Sequence, residues 1–170
     1  MDQIKITTQE TLKSLGLVVV EDYSDKYSQF YNNKTNSCVS FNFSTDSSGI
    51  IMGNVTVFLS EKVIMASMFF ADSISKEKRN LMEAFKNAFN ESSHIVSACL
   101  EVMQSGDMSI RFKLGASYRY SGFSDNLVRD VVEPIMIRVG RIGLHFEEYM
   151  AGKYETAKDY LNESDRSLET

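Results

Sequence analysis

From Cys38 onward the apolar residues recur at every second position. In "CVSFNFS" Val39, Phe41 and Phe43 share one face, and in "IIMGNVTVFLS" Ile51, Val55, Val57 and Leu59 alternate with Asn54, Thr56 and Ser60. Successive side chains of a strand point to opposite faces, so this period predicts half-buried antiparallel strands. "TDSSG" between them supplies turn residues. The next apolar run, "VIMASMFFA" from Val63, is hydrophobic on both faces and predicts a strand covered on both sides.

Ahead of these strands, Thr7 and Glu10 have capping-box spacing, Leu12 and Leu15 form an apolar edge, and Gly16 can take the left-handed closing conformation. A helix over roughly Thr8 to Leu15 follows. "LVVVED" is β-branched and predicts a strand, while the polar "SDKYSQFYNNKTNS" reads as a weak strand or a long loop around Phe30.

After them the period lengthens. Leu81, Met82, Phe85, Ala88 and Phe89 fall on one stripe of a helix over Ser75 to Asn90 whose other face is charged. The period then returns to two, with Val96, Ala98, Leu100 and Val102 inward, "SGD" at Ser105 to Asp107 as a turn, and Met108, Ile110, Phe112 and Leu114 returning on the same side. Ser109, Arg111 and Lys113 face water.

Ser124 opens a long helix to Met150, with Val128, Val131, Ile135, Val139, Ile142 and Phe146 at helical spacing. Pro134 removes a backbone donor within it, which predicts a kink or two pieces meeting near Val132 and Glu133. Gly140 and Gly143 would permit close approach to a neighbour, and Gly152 can end the helix. The expected fold class is α+β, a mainly antiparallel sheet with helices packed on it in the order α-β(3-5)-α-β-β-α. Residues 1–152 form a single domain, and 153–170 a polar C-terminal tail, partly helical or disordered.

Composition agrees with a folded domain: 170 residues, 43% hydrophobic and 24% charged, are enough to bury one core. A net charge of -5 without a Lys/Arg cluster argues against nucleic acid as a partner. The start "MDQIKITTQETLK" lacks the basic and apolar pattern of a leader, and nothing later is long enough to span a bilayer, so a cytoplasmic protein without membrane attachment is expected. The N-x-[S/T] triplets at Asn33 and Asn54 then have no glycosylating enzyme to meet. Cys38 and Cys99 are too few and too far apart for a disulfide framework or a zinc site, and read as small buried or half-buried thiols.

Reactive equipment is sparse. His94 and His145 have no partner spacing with each other or with a carboxylate. Cys99 shares a strand face with Ser97 and Glu101 and shows no setting that would lower its pKa. Glu147 and Glu148 are adjacent in a helix and point apart, and with Glu133 and Asp130 they make a solvated face. The glycines of "RVGRIG" lie inside a helical pattern and do not follow a strand as a phosphate loop would. No catalytic, metal or cofactor residue is therefore assigned. Were the chain an enzyme, its site would have to assemble from dispersed residues such as His94, His145, Glu101 and Cys99.

Met and Phe are the residues open to a functional reading. Met52, Met65, Met68, Phe69, Phe70, Met82, Met103 and Met108 either fill gaps in the core or line an adaptable surface for apolar segments of partners.

The stretches "LMEAFKNAFNESSHIVSACLEV", "SGD", "MSIRFKL" and "LVRDVVEPIMIRVGRIGLHFEEYMAG", in this order, resemble the YbjN-like proteins, grouped with the type III secretion chaperone fold. The resemblance covers roughly Leu12 to Gly152. It departs from the family pattern in the Asn/Ser-rich segment before Cys38 and in Pro134. It implies a non-enzymatic protein that homodimerises and serves as chaperone, adaptor or regulator, and it carries no fixed functional residues across.

The functional expectation is a protein-binding module without cofactors. The alternatives are a component of a larger phage or secretion assembly, or an enzyme with a dispersed site. Since soluble proteins seldom leave a large apolar sheet face in water, Met65 and Phe69 on the strand and Met82, Phe85 and Phe89 on the helix are the candidate protein-interaction residues, with a second copy as the first candidate partner and the first or last helix of the same chain as the alternative cover of the strand.

Overall fold

The computed structural model describes residues 1–32, 37–45, 52–92, 95–103, 109–143 and 145–166. The elements run α1 (Asp2–Ser14), β1 (Val18–Asp22), α2 (Ser24–Asn32), β2 (Cys38–Ser44), β3 (Met52–Phe58), β4 (Val63–Ile74), a 3-10 turn (Lys76–Lys78), α3 (Arg79–Ser92), β5 (Ser97–Met103), β6 (Ser109–Arg119), α4 (Leu127–Gly143), α5 (Phe146–Met150) and α6 (Ala157–Arg166). The strands form one sheet in the order β1-β2-β3-β4-β6-β5, and the pairs β1/β2, β2/β3 and β3/β4 are antiparallel. This is the α+β architecture that the periodicity predicts. The triplet at Asn33, the turns "TDSSG" and "SGD", Met108 and His94 lie outside the described residues, as do the side chains of Phe70, Val102, Met103, Ile110, Arg111 and Phe112.

Two compact units divide the chain: Met1–Met68 with Gly115–Pro134, and Phe69–Leu114 with Ile135–Thr170.

In the first unit register turns alternation into a core. Val39 stands opposite Val57 and Phe41 opposite Val55, while Val57 and Val55 stand opposite Ile64 and Ala66. All six are buried. Gly53 is part of this packing, because a Cβ there would come within 2.5 Å of the Phe43 ring and 2.7 Å of the Ser67 carbonyl oxygen. Helix α1 packs on β1 and β2. It starts at Asp2, six residues before the expected Thr8, because Thr7, Thr8 and Thr11 are buried with Leu12 and the Thr8 hydroxyl donates to the Ile4 carbonyl at 2.7 Å. Tertiary burial of this face outweighs the capping preference. Gly16 closes it as expected: at φ 77° its N–H reaches the Lys13 carbonyl at 2.9 Å and the Leu17 N–H reaches Leu12 at 3.0 Å.

Residues 24–32, expected as weak strand or loop, form helix α2. The Asp22 carboxylate starts it by accepting from the Ser24 N–H at 3.0 Å and the Ser24 hydroxyl at 2.5 Å, an Asx-type turn. The helix lies on the sheet face that carries Ser40 and Phe58: the Ser40 N–H donates to the Ser24 hydroxyl at 2.9 Å and the Tyr27 ring meets the Phe58 ring edge-on at 6.0 Å. The signal in the sequence is the helical spacing of Tyr23, Tyr27, Phe30 and Tyr31 at offsets 0, 4, 7 and 8, within an otherwise polar segment.

In the second unit α3 buries Met82, Phe85, Ala88 and Phe89. The Asn90 amide clasps β5, donating to the Ala98 carbonyl at 3.0 Å and accepting from the Ala98 N–H at 2.7 Å. Pro134 lies inside helix α4, so the alternative of two separate pieces meeting near Val132 and Glu133 does not hold. Proline costs one backbone donor, whereas Val131, Val132 and Ile135 around it are all buried. Among the described residues nothing lies within 4 Å of a Cβ position at Gly140, so none of them makes the close approach that the sequence suggested there. The polar stretch after Gly152 carries α6, opened by a reciprocal cap in which the Thr156 N–H donates to Asp159 at 3.1 Å and the Asp159 N–H to the Thr156 hydroxyl at 3.2 Å.

Candidate protein-binding surface

The sheet face beneath α2 begins as a polar surface. The hydroxyls of Ser40 and Thr56 lie 2.8 Å apart, the Thr56 hydroxyl donates to the Asn54 side-chain oxygen at 2.8 Å, and the Asn54 amide returns to Ser40 at 3.1 Å. Hydrogen bonds thus close a ring around three side chains, and Asn54 extends it to Asn42 at 2.8 Å. Ser40 and Thr56 are buried. Because each polar group is paired, the ring can be buried without the desolvation penalty of an orphan. Asn54, which opens one of the N-x-[S/T] triplets, is held within this network.

The same face turns apolar away from the ring. Met65 stands opposite Thr56, and Met52 and Val18 both stand opposite Ser44. All three are open to solvent: Met65 is 48% exposed, Met52 42% and Val18 44%. The double-faced cover expected for the strand from Val63 is thus incomplete at Met65.

The candidate residues on α3 have a different fate. Met82 and Phe85 are fully buried and Phe89 nearly so, within their own chain. Phe85 is the centre of an aromatic cluster, with ring centroids 5.9 Å from Tyr149, 5.7 Å from Tyr160 and 6.1 Å from Phe146. Tyr149 donates to the Leu81 carbonyl at 2.6 Å, and Tyr160 to the Ile142 carbonyl. The stripe of Met82, Phe85 and Phe89, named as a candidate contact for a second copy, is therefore filled from within the chain, with Phe85 met by rings of α5 and α6. Phe69 is half-buried, with the Lys113 ammonium 5.8 Å from its ring centre. Sequence reasoning placed Phe146 on the stripe of the last helix but missed Tyr149 and Tyr160; the signal for the latter was Ala157, Tyr160 and Ser164 at helical spacing within a polar segment.

The reactive candidates are held in structural pairs. His145, expected to lack a carboxylate partner, has its Nδ1 3.3 Å from Glu148. Glu148 also accepts from Lys153 at 2.8 Å, and Glu101 accepts from Lys113 at 3.2 Å. Cys38 is buried but Cys99 is exposed, on the face of Ser97 and Glu101 that strand parity predicts. Partial desolvation pushes the Cys99 thiol up, with Glu101 adding to the shift against Lys113 and Lys86, so the thiol stays protonated near neutrality. Among the described residues, no group of three or more His, Cys, Asp or Glu could hold a metal ion, and no helix is long and apolar enough to cross a membrane.

No protein-family model and no curated protein matches the chain. A solved structure does: YbjN from E. coli, a candidate transcription regulator, is similar over 82% of this chain and 91% of that one, with a TM-score of 0.50 at 16% sequence identity. A likeness at that identity concerns the backbone and not the site. The chain has a YbjN-like fold.

Proposed function

We propose that the protein works by binding another protein, as a chaperone, adaptor or regulator, that it catalyses no reaction, and that it pairs with a second copy of itself. The observation that carries this reading is Met65, a methionine 48% exposed on a strand flanked on both sides by others, on the same sheet face as the exposed Met52 and Val18. Unbranched thioethers adapt to varied apolar surfaces, which suits a face that takes up protein segments. The regulator reading also accords with the description of YbjN. The paired states of His145 and Glu101 and the protonated Cys99 fit a chain whose polar groups serve structure.

Sedimentation at micromolar concentration tests the self-pairing, and affinity capture from the native host tests the partner. A dimer that Met65→Glu turns into a folded monomer, together with loss of the captured protein, is the expected result. A 19.3 kDa monomer at every concentration, with Met65→Glu capturing the same proteins as the native chain, would defeat the reading.

A further inference from the structure

We propose that Asn90 guards the outer edge of β5: its side-chain amide stands where the next strand of the sheet would run and keeps the β5 of a second copy from adding there. The contact so prevented is separate from the pairing through Met65 and does not depend on it.

β5 is the last strand in the order of the sheet. In a strand each residue turns its N–H and its C=O to the same side, and successive residues alternate. The Asn90 amide donates to the Ala98 carbonyl at 3.0 Å and accepts from the Ala98 N–H at 2.7 Å. That is the double exchange a neighbouring strand makes with the residue it faces, supplied here by one side chain. The Ala98 groups therefore point away from β6, and the period of two turns the N–H and C=O of Leu100 the same way. Asn90 sits in the last turn of α3, so the end of that helix lies across the path a strand would take past Ala98. Asparagine is a poor helix former, and helix propensity does not account for it there.

The two ends of the sheet are protected differently. β1, the first strand in the order, has 5 residues, a register shift between Val19 and Glu21, and the acidic side chains of Glu21 and Asp22. Short length, a bulge and charge are the usual means of keeping a free edge from pairing. β5 has 7 residues, "SACLEVM", and its one charged side chain, Glu101, is paired with Lys113 at 3.2 Å. A largely apolar edge of this kind is a template for another strand. A second copy fits it, since two-fold symmetry lays the same strand antiparallel on itself and offers the Ala98 of each copy a backbone partner.

Cys99 makes the edge readable, because it is exposed on β5 while Cys38 is buried. The full chain is used throughout with Met65→Glu, which removes the pairing proposed through that residue, and circular dichroism checks that each variant is folded. In Asn90→Ala a short bis-maleimide should join two copies through Cys99, with ~10-fold more joined dimer than when Asn90 is kept, the scale set by the two hydrogen bonds to Ala98. Asn90→Asp retains an acceptor for the Ala98 N–H and adds a charge to the edge, so it should stay at the level seen with Asn90. Equal linkage with and without Asn90, or association of Asn90→Ala without linkage through Cys99, would overturn the proposal. A second measurement needs no substitution at Asn90 and decides the matter if Asn90→Ala does not fold: in hydrogen exchange of the native chain, the Ala98 amide should be protected ~100-fold or more over that of Leu100. Equal protection of the two would mean that something other than Asn90 covers the edge, and would overturn the proposal as well.

Discussion

Tyr149 and Tyr160 stack face to face, 5.0 Å between centroids and 18° between planes, one from α5 and one from α6. The pair joins two segments of polar sequence to the Phe85 stripe of α3 through aromatic area and two hydroxyls donated to backbone carbonyls. Removing Phe85 would take away the ring that both tyrosines meet. Phe85→Ala should destabilise the second unit by ~3 to 5 kcal/mol, the usual cost of emptying a buried aromatic site. Tyr149→Phe, which loses only the bond to Leu81, should cost ~0.5 to 1.5 kcal/mol. Denaturant unfolding of both variants measures the difference, and equal costs would contradict the cluster's central role.

The ring formed by Ser40, Asn54 and Thr56 should behave as a unit. Thr56→Val leaves a buried hydroxyl and an amide oxygen short of a partner, at a cost of ~1 to 3 kcal/mol. Ser40→Ala should cost a similar amount, while the double variant should cost less than the sum by ~0.5 kcal/mol or more. A double-mutant cycle checks this, and strict additivity would show that the ring is not coupled.

Acid should weaken α2 through Asp22. Desolvation alone would raise its pKa, but the hydrogen bonds from Ser24 and the Lys5 ammonium outweigh it and hold the carboxyl below the usual carboxylate range. A depressed folded-state pKa contributes stability above the unfolded value, and that stability is lost as pH falls through the folded one. The native chain should therefore lose stability below the ordinary range of an aspartate more steeply than Asp22→Asn. Thermal unfolding from neutral pH down to about pH 2, within the window where carboxylates protonate, compares the two. Identical pH profiles would refute the role given to Asp22.

Thiol labelling should distinguish the two cysteines. Cys99 is exposed and Cys38 buried, so one thiol should react in the folded chain and both after unfolding. Because the Cys99 thiol is pushed up, its rate should rise with pH later than that of a free cysteine. Rapid labelling at neutral pH would instead indicate an activated thiol and reopen the enzyme reading.

What the chain alone determined follows from local periodicity. Alternation in "CVSFNFS" and "IIMGNVTVFLS" and the stripe from Leu81 to Phe89 are set by which side chains must leave water, and that demand is written in the order of residues. Gly16 likewise closed α1 where it was expected to, since a left-handed position has few other occupants. Tertiary structure decided the rest where weak local preferences met a neighbour. The segment from Ser24 became a helix because Asp22, Ser40 and Phe58 offered it partners, and Pro134 stayed inside α4 because burial around it outweighed one lost donor. The apolar stripe of α3 announced that something must cover it. Whether the cover would be a second copy or the chain's own Tyr149 and Tyr160 depended on how a polar segment some 70 residues away folds back, a long-range contact that local periodicity does not encode.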